Sequence, residues 1–123
     1  MNMQGYQAYR KTQIQTADQG GLILLCYDGA IGFLRKALKA ISEKDQMSAT
    51  ELLTKAQNVL WELTNGLNRD AGQIAHNLEA IYNYMIRRLV DAQYHSSPAP
   101  VNEVLGYLQE LRDTWLQVIQ KQS

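Results

Sequence analysis

The stretch from Asp18 to Ile41 reads DQGGLILLCYDGAIGFLRKALKAI, and its periodicity decides the fold. At about 100° per residue, Leu22, Ile23, Cys26, Tyr27, Ala30, Ile31, Phe33, Leu34, Ala37, Leu38 and Ile41 fill an arc of about 180°. Asp28, Gly29, Gly32, Arg35, Lys36 and Lys39 take the other side. A surface helix usually shows an apolar stripe of about 100° or a little more. The excess asks for a second partner, either the rest of the fold or another protein.

Three further helices follow. Asp18 is placed to cap the first, its carboxylate accepting from orphan backbone N–H groups. Ser48-Ala49-Thr50-Glu51 has the spacing of a capping box, which predicts the start of a second helix there. Leu52, Ala56, Val59, Leu60, Leu63 and Leu67 form its stripe, with Trp61 on the opposite side. Gly66 and the run Asn68-Arg69-Asp70-Ala71-Gly72 mark a turn. A third helix from about Ala71 to Gln93 carries Ile74, Leu78, Ile81, Tyr82, Met85, Leu89 and Ala92 on one face, with His76, Asn83 and Arg87 facing away. Tyr94 to Pro100 reads as a loop, and Pro100 fits the first turn of a fourth helix with Val101, Val104, Leu105, Leu108, Leu111, Trp115 and Ile119 inward. Helices joined by short links, with no alternating pattern, predict an all-α antiparallel four-helix bundle. Residues 1–17 show no sustained period. Tyr6, Tyr9 and Ile14 stand there among polar residues, as apolar handles on an extended or short-helical N-terminal arm. The expected organisation is one domain over residues 1–123.

Composition narrows the function. With 12 basic and 12 acidic residues in 123, the chain as a whole has no electrostatic reason to seek nucleic acid or an anionic membrane. The single cysteine, Cys26, falls in the apolar arc and suits a reducing compartment. No apolar run approaches the roughly 20 residues of a membrane span, and the polar N-terminus lacks the core of a secretory signal. A cytoplasmic protein is expected.

Nothing in the sequence assembles a catalytic or metal-binding constellation. A di-metal bundle needs Glu-x-x-His pairs, and neither histidine has a glutamate three residues before it. Gly20-Gly21 lacks the strand and the Lys-Ser/Thr ending of a phosphate loop. Cys26 has no local histidine to activate it. The expectation is a non-enzyme without metal or cofactor; phosphotransfer through an exposed His76 is the alternative. Arg112 falls inside the fourth apolar stripe. It either lays its methylenes on the core and sends its guanidinium to an edge carboxylate, or stands as a donor at a partner groove. Trp61 and Tyr84 project away from their own stripes and offer aromatic anchors to a partner.

Several runs carry a resemblance. They are Ala8-Tyr9 with Thr16-Ala17, then Leu22-Ile23-Leu24-Leu25-Cys26-Tyr27-Asp28-Gly29-Ala30-Ile31, then Lys55-Ala56-Gln57 with Leu63. Asn77-Leu78, Tyr82-Asn83-Tyr84-Met85, Leu89, and Leu111-Arg112 with Trp115 complete the pattern. In order and spacing the chain resembles the bacterial flagellin export chaperones of the FliS type. It departs at Asp18-Gln19-Gly20-Gly21, where the family often has Ser-Pro-Gly-Glu, and at Cys26, where Met or Leu is usual. The resemblance implies a cytoplasmic chaperone. It would bind the disordered C-terminal region of flagellin, prevent premature polymerisation, and deliver flagellin to the flagellar type III export apparatus. It also implies an arm that covers apolar surface when flagellin is absent. Joined to the residue pattern, this makes Leu24, Tyr27, Ile31 and Leu34 the expected docking face and Tyr9 and Ile14 a displaceable lid, with Trp61 and Tyr84 as further contacts. The free chain is expected to be a monomer or homodimer. A structural homo-oligomeric adaptor is the remaining alternative.

Overall fold

The first helix, α1 (Gln19–Ser42), ends in a turn that a lysine closes. Lys44 takes the left-handed conformation at φ 58°, its N–H donates to the Ile41 carbonyl at 3.0 Å, and the Asp45 N–H reaches back to Ala40 at 2.9 Å. These are the two bonds of a Schellman motif, with Lys44 where glycine is the usual occupant. In this computed structural model residues 19–122 are described, so the expected cap Asp18 and the arm lie outside the described residues.

The second helix, α2 (Gln46–Asn65), starts earlier than the capping box predicts. Asp45 is its N-cap and accepts from the Ser48 N–H at 3.2 Å; hydrogen bonding from the Ser48 side chain first, and from this N–H second, holds the carboxyl below its usual range. Asp is as good a cap as Ser, and Asp45 comes first in the chain. Glu51 instead reaches Lys55 at 3.4 Å along the helix surface. Beyond α2, Asn68 caps a 3-10 turn, Arg69–Ala71, by accepting from the Asp70 N–H at 3.0 Å. Gly72, at φ 72° and ψ −125°, then opens α3 (Gln73–His95) in a conformation that only glycine adopts without strain.

The expected loop from Tyr94 to Pro100 shrinks to residues 96–97. Helix α3 runs through Tyr94, and α4 (Pro98–Gln122) begins at the first proline. Proline has no N–H to lose in a first helical turn, so Pro98 and Pro100 both fit inside α4. The sequence reading placed Pro100 in the first turn and left Pro98 in the loop.

Helix α1 packs on α2 and α4, and α3 packs on the same two. The short links make sequential neighbours antiparallel, and α1 and α3 face each other across the diagonal. Among the described residues there is no strand. The core holds Leu34, Leu53, Leu60, Tyr82, Met85, Leu89, Val101, Val104 and Leu108 out of solvent. Burial of such side chains, at roughly 1.5–3 kcal/mol each, is the main force holding the bundle together.

The two ends differ. Where α1 ends and α2 begins, the buried side chains Ala37, Ala40 and Ala49 are small enough to let backbones approach, and Ala92 and Val101 close the same end from α3 and α4. At the other end no α1 residue before Cys26 and no α4 residue after Leu108 with a described side chain is buried. No described helix is long and apolar enough to cross a membrane.

Candidate partner-binding cleft

The loose end of the bundle opens into a cleft of about 710 Å³. It lies where α1 starts, α2 stops, α3 starts and α4 stops. Leu22, Ile23 and Cys26 line it from α1, Leu63 and Leu67 from α2 and its exit, Ile74, Ala75 and Leu78 from α3, and Trp115, Val118 and Ile119 from α4. Glycines and alanines crowd this corner, Gly20, Gly66, Ala71 and Ala75 among the lining residues, and none is large enough to fill the mouth. Ile74 is consequently 68% exposed, although it continues the inner stripe of α3. Mostly apolar walls with few polar groups are the usual composition of a binding cleft.

Two polar contacts fasten α4 to α1 beside the cleft. The Trp115 indole N–H donates to the Gly20 carbonyl at 3.1 Å, and Arg112 donates to the Asp28 carboxylate, with Asp113 3.6 Å away. The guanidinium of Arg112 therefore goes to an edge carboxylate, the first of its two expected roles. Asp28 and its neighbour Asp113 hold the guanidinium pKa above its ordinary value. A second polar cluster ties α3 to α4. Glu103 accepts from Tyr84 at 2.7 Å, Arg88 at 2.7 Å and Tyr107 at 3.1 Å, and these bonds hold its carboxyl below the usual range. The same bonds to Glu103 raise Tyr84 and Tyr107.

The expected docking face is largely consumed inside the molecule. Tyr27, only 2% exposed, is buried with Ile31 and Leu34 in the core, so none of the three offers a surface to a partner; Leu24 is half-buried. The reason is geometric: α1 contacts α2 and α4 and faces α3, and three neighbours absorb a broad arc. Trp61 at 48% and Tyr84 at 37% are exposed, but neither lines the cleft. Tyr9 and Ile14 lie outside the described residues. The residues that do build the cleft, Leu22, Ile23, Leu67, Ile74, Leu78, Val118 and Ile119 among them, sat mostly in the inward stripes of the sequence reading. Their position at helix ends, next to glycine and alanine, was the available signal. His76 is exposed near the start of α3. Among the described residues no group of His, Cys, Asp or Glu is arranged to hold a metal ion.

With this geometry in hand, known proteins supply the context. The family profile described as Flagellar protein FliS matches residues 2–122. The flagellar secretion chaperone FliS of Bacillus subtilis (strain 168) is 39% identical over 117 residues, covering 95% of this chain and 87% of the relative. That of Salmonella typhimurium (strain LT2) is 33% identical over 125 residues, covering 97% of this chain and 93% of the relative. A crystal structure of a flagellar chaperone from bacteria shares the fold at a TM-score of 0.81 and 21% identity, with 97% of this chain and 98% of that one covered. An all-helical bundle open at one end, matched along nearly its full length by these relatives, belongs to the FliS family of flagellar secretion chaperones.

Proposed function

We propose that this chain is a cytoplasmic chaperone that receives the disordered C-terminal region of flagellin, keeps it from polymerising early and delivers it to the flagellar type III export apparatus. The observation that carries this reading is the apolar cleft of about 710 Å³ at the open end of the bundle, in a chain of the flagellar secretion chaperone family. A preformed apolar seat offsets part of the ordering cost of a few kcal/mol that a disordered client must meet. No catalytic step is involved; the work is burial of client side chains.

In this proposal client side chains enter between Leu22, Ile23, Leu67, Ile74 and Trp115. Trp61 and Tyr84 contact further stretches of the same client, and Leu24 borders the seat. Tyr27, Ile31 and Leu34 act indirectly, by fixing α1 in the bundle. Residues 1–17 belong to the same domain and form a lid, with Tyr9 and Ile14 held on apolar surface until the client displaces them. The start of α1 supports this, because Gly20, in its first turn, lines the cleft.

Co-purification tests the reading. The chain should retain full-length flagellin in a stoichiometric complex and should fail to retain flagellin lacking its C-terminal tail. Equal retention of both forms would move the client's recognition element elsewhere and end the proposal.

A further inference from the structure

Among the residues lining the cleft, Glu62 alone carries a charge. It is exposed, and among the described residues it forms no ion pair. Arg69, in the turn that follows α2, is already engaged and reaches Glu79 at 2.5 Å. Glu62 also stands in the last turn of α2, which contains no basic side chain. The C-terminal end of α2 is the negative end of the helix dipole, which favours a cation and disfavours a carboxylate. An apolar seat with one uncompensated negative charge at its edge is complementary to a specific pattern.

The geometry points to Glu62 as a specificity-determining residue: the cleft selects client segments in which a lysine or arginine lies about one helical turn from the apolar anchors. This rests on the reading of the cleft as the client's seat. Residues 9–14 of the chain, Tyr-Arg-Lys-Thr-Gln-Ile, show the same pattern of cations between apolar side chains. A segment with a carboxylate in that position meets repulsion from both Glu62 and the end of α2. Electrostatic complementarity of this kind discriminates between partners more than it adds affinity.

The test uses the full-length chain and three synthetic amphipathic peptides of about 18 residues, five helical turns. They share their leucines and differ in one position a turn away, which holds Lys, Gln or Glu. Titration calorimetry at low salt should rank them Lys, Gln, Glu on the wild type, with about a fivefold spread between first and last. Glu62→Gln should collapse the spread and Glu62→Lys should invert it. Circular dichroism confirms that both variants keep their helices. Equal affinity of all three peptides for the wild type, unchanged in Glu62→Lys, overturns the role of Glu62 while leaving the cleft as a purely apolar seat. If none of the peptides binds, the cleft itself is not a docking site, and both readings fall.

Discussion

The phenol oxygens of Tyr27 on α1 and Tyr82 on α3 meet at 2.6 Å across the diagonal of the bundle, with both rings buried. One hydroxyl donates to the other, so the pair links the two helices that do not otherwise pack on each other extensively. Tyr82→Phe leaves the Tyr27 hydroxyl without this partner, and a buried orphan of this kind costs about 1–3 kcal/mol. The double variant Tyr27→Phe with Tyr82→Phe should be less destabilised than the sum of the single ones, because it removes both polar groups. Urea unfolding of the four proteins measures the coupling. Burial pushes both phenols above the ordinary tyrosine range, so in an alkaline titration these two should ionise only as the protein unfolds.

Polar substitution in the cleft should separate binding from stability. Ile74 and Val118 are exposed in the free chain, so Ile74→Ser and Val118→Ser should shift stability by less than about 0.5 kcal/mol. Each nevertheless removes apolar area that the client covers, and the pair together should weaken binding of a flagellin tail by about tenfold. Tyr27→Ala should act the other way, lowering the unfolding midpoint first. Calorimetry and thermal melts on the same preparations distinguish the two outcomes.

Removal of residues 1–15 should uncover the cleft. The fluorescence of a hydrophobic dye should rise on the shortened chain and fall again when flagellin tail is added. A shortened chain that binds no more dye than the full one would show that Tyr9 and Ile14 do not lie on apolar surface.

Among the described residues Gly72 is the glycine held at positive φ, where a side chain is strained. At φ 72° and ψ −125°, an alanine should cost about 1–3 kcal/mol through backbone strain, although its methyl would meet nothing within 4 Å. Guanidinium unfolding of Gly72→Ala gives the value directly. A neutral result would show that the turn before α3 relaxes to another shape.

Acid should weaken the seam between α3 and α4. The bonds from Tyr84, Arg88 and Tyr107 depress the folded-state pKa of Glu103 below its unfolded value. The stabilisation is therefore fully present above the ordinary carboxylate range near pH 4.3, and it disappears as pH falls through the depressed value. Glu103→Gln should lower the urea midpoint at pH 7 and leave a smaller difference from wild type near pH 3. A pH-independent difference would show that the carboxylate's charge contributes nothing at this seam.

The number of helices and the side of each that turns inward were largely legible in the sequence, because Leu60, Leu89 and Leu108 lie on the expected stripes and are all buried; on α2 it is Leu53, not the expected Leu52, that turns fully inward. Helix ends were less legible, since several residues compete for the same task. Asp45 and Ser48 are both good caps, and the tertiary position of α2 uses Asp45. Pro98 was read as a breaker, yet its first-turn position makes it an initiator. The broad apolar arc of α1 was legible, but what covers it was not. Periodicity counts how much of a helix is apolar, and it cannot say how many neighbours will cover it. At Tyr27 and Leu34 neighbours surround the helix, whereas at Ile74 and Val118 the neighbouring helices run out.

The contrast between the alanine-packed end and the open one sets a gradient of opening along the bundle axis. Amide protons around Ala37, Leu53, Leu89 and Val101 should exchange with solvent only on global unfolding, and those at the start of α1 and the end of α4 through local fraying. A client seated in the mouth then has to quiet only those outer turns. Its arrival should be visible as slowed exchange there, while the far half of the molecule keeps the rates it had when empty.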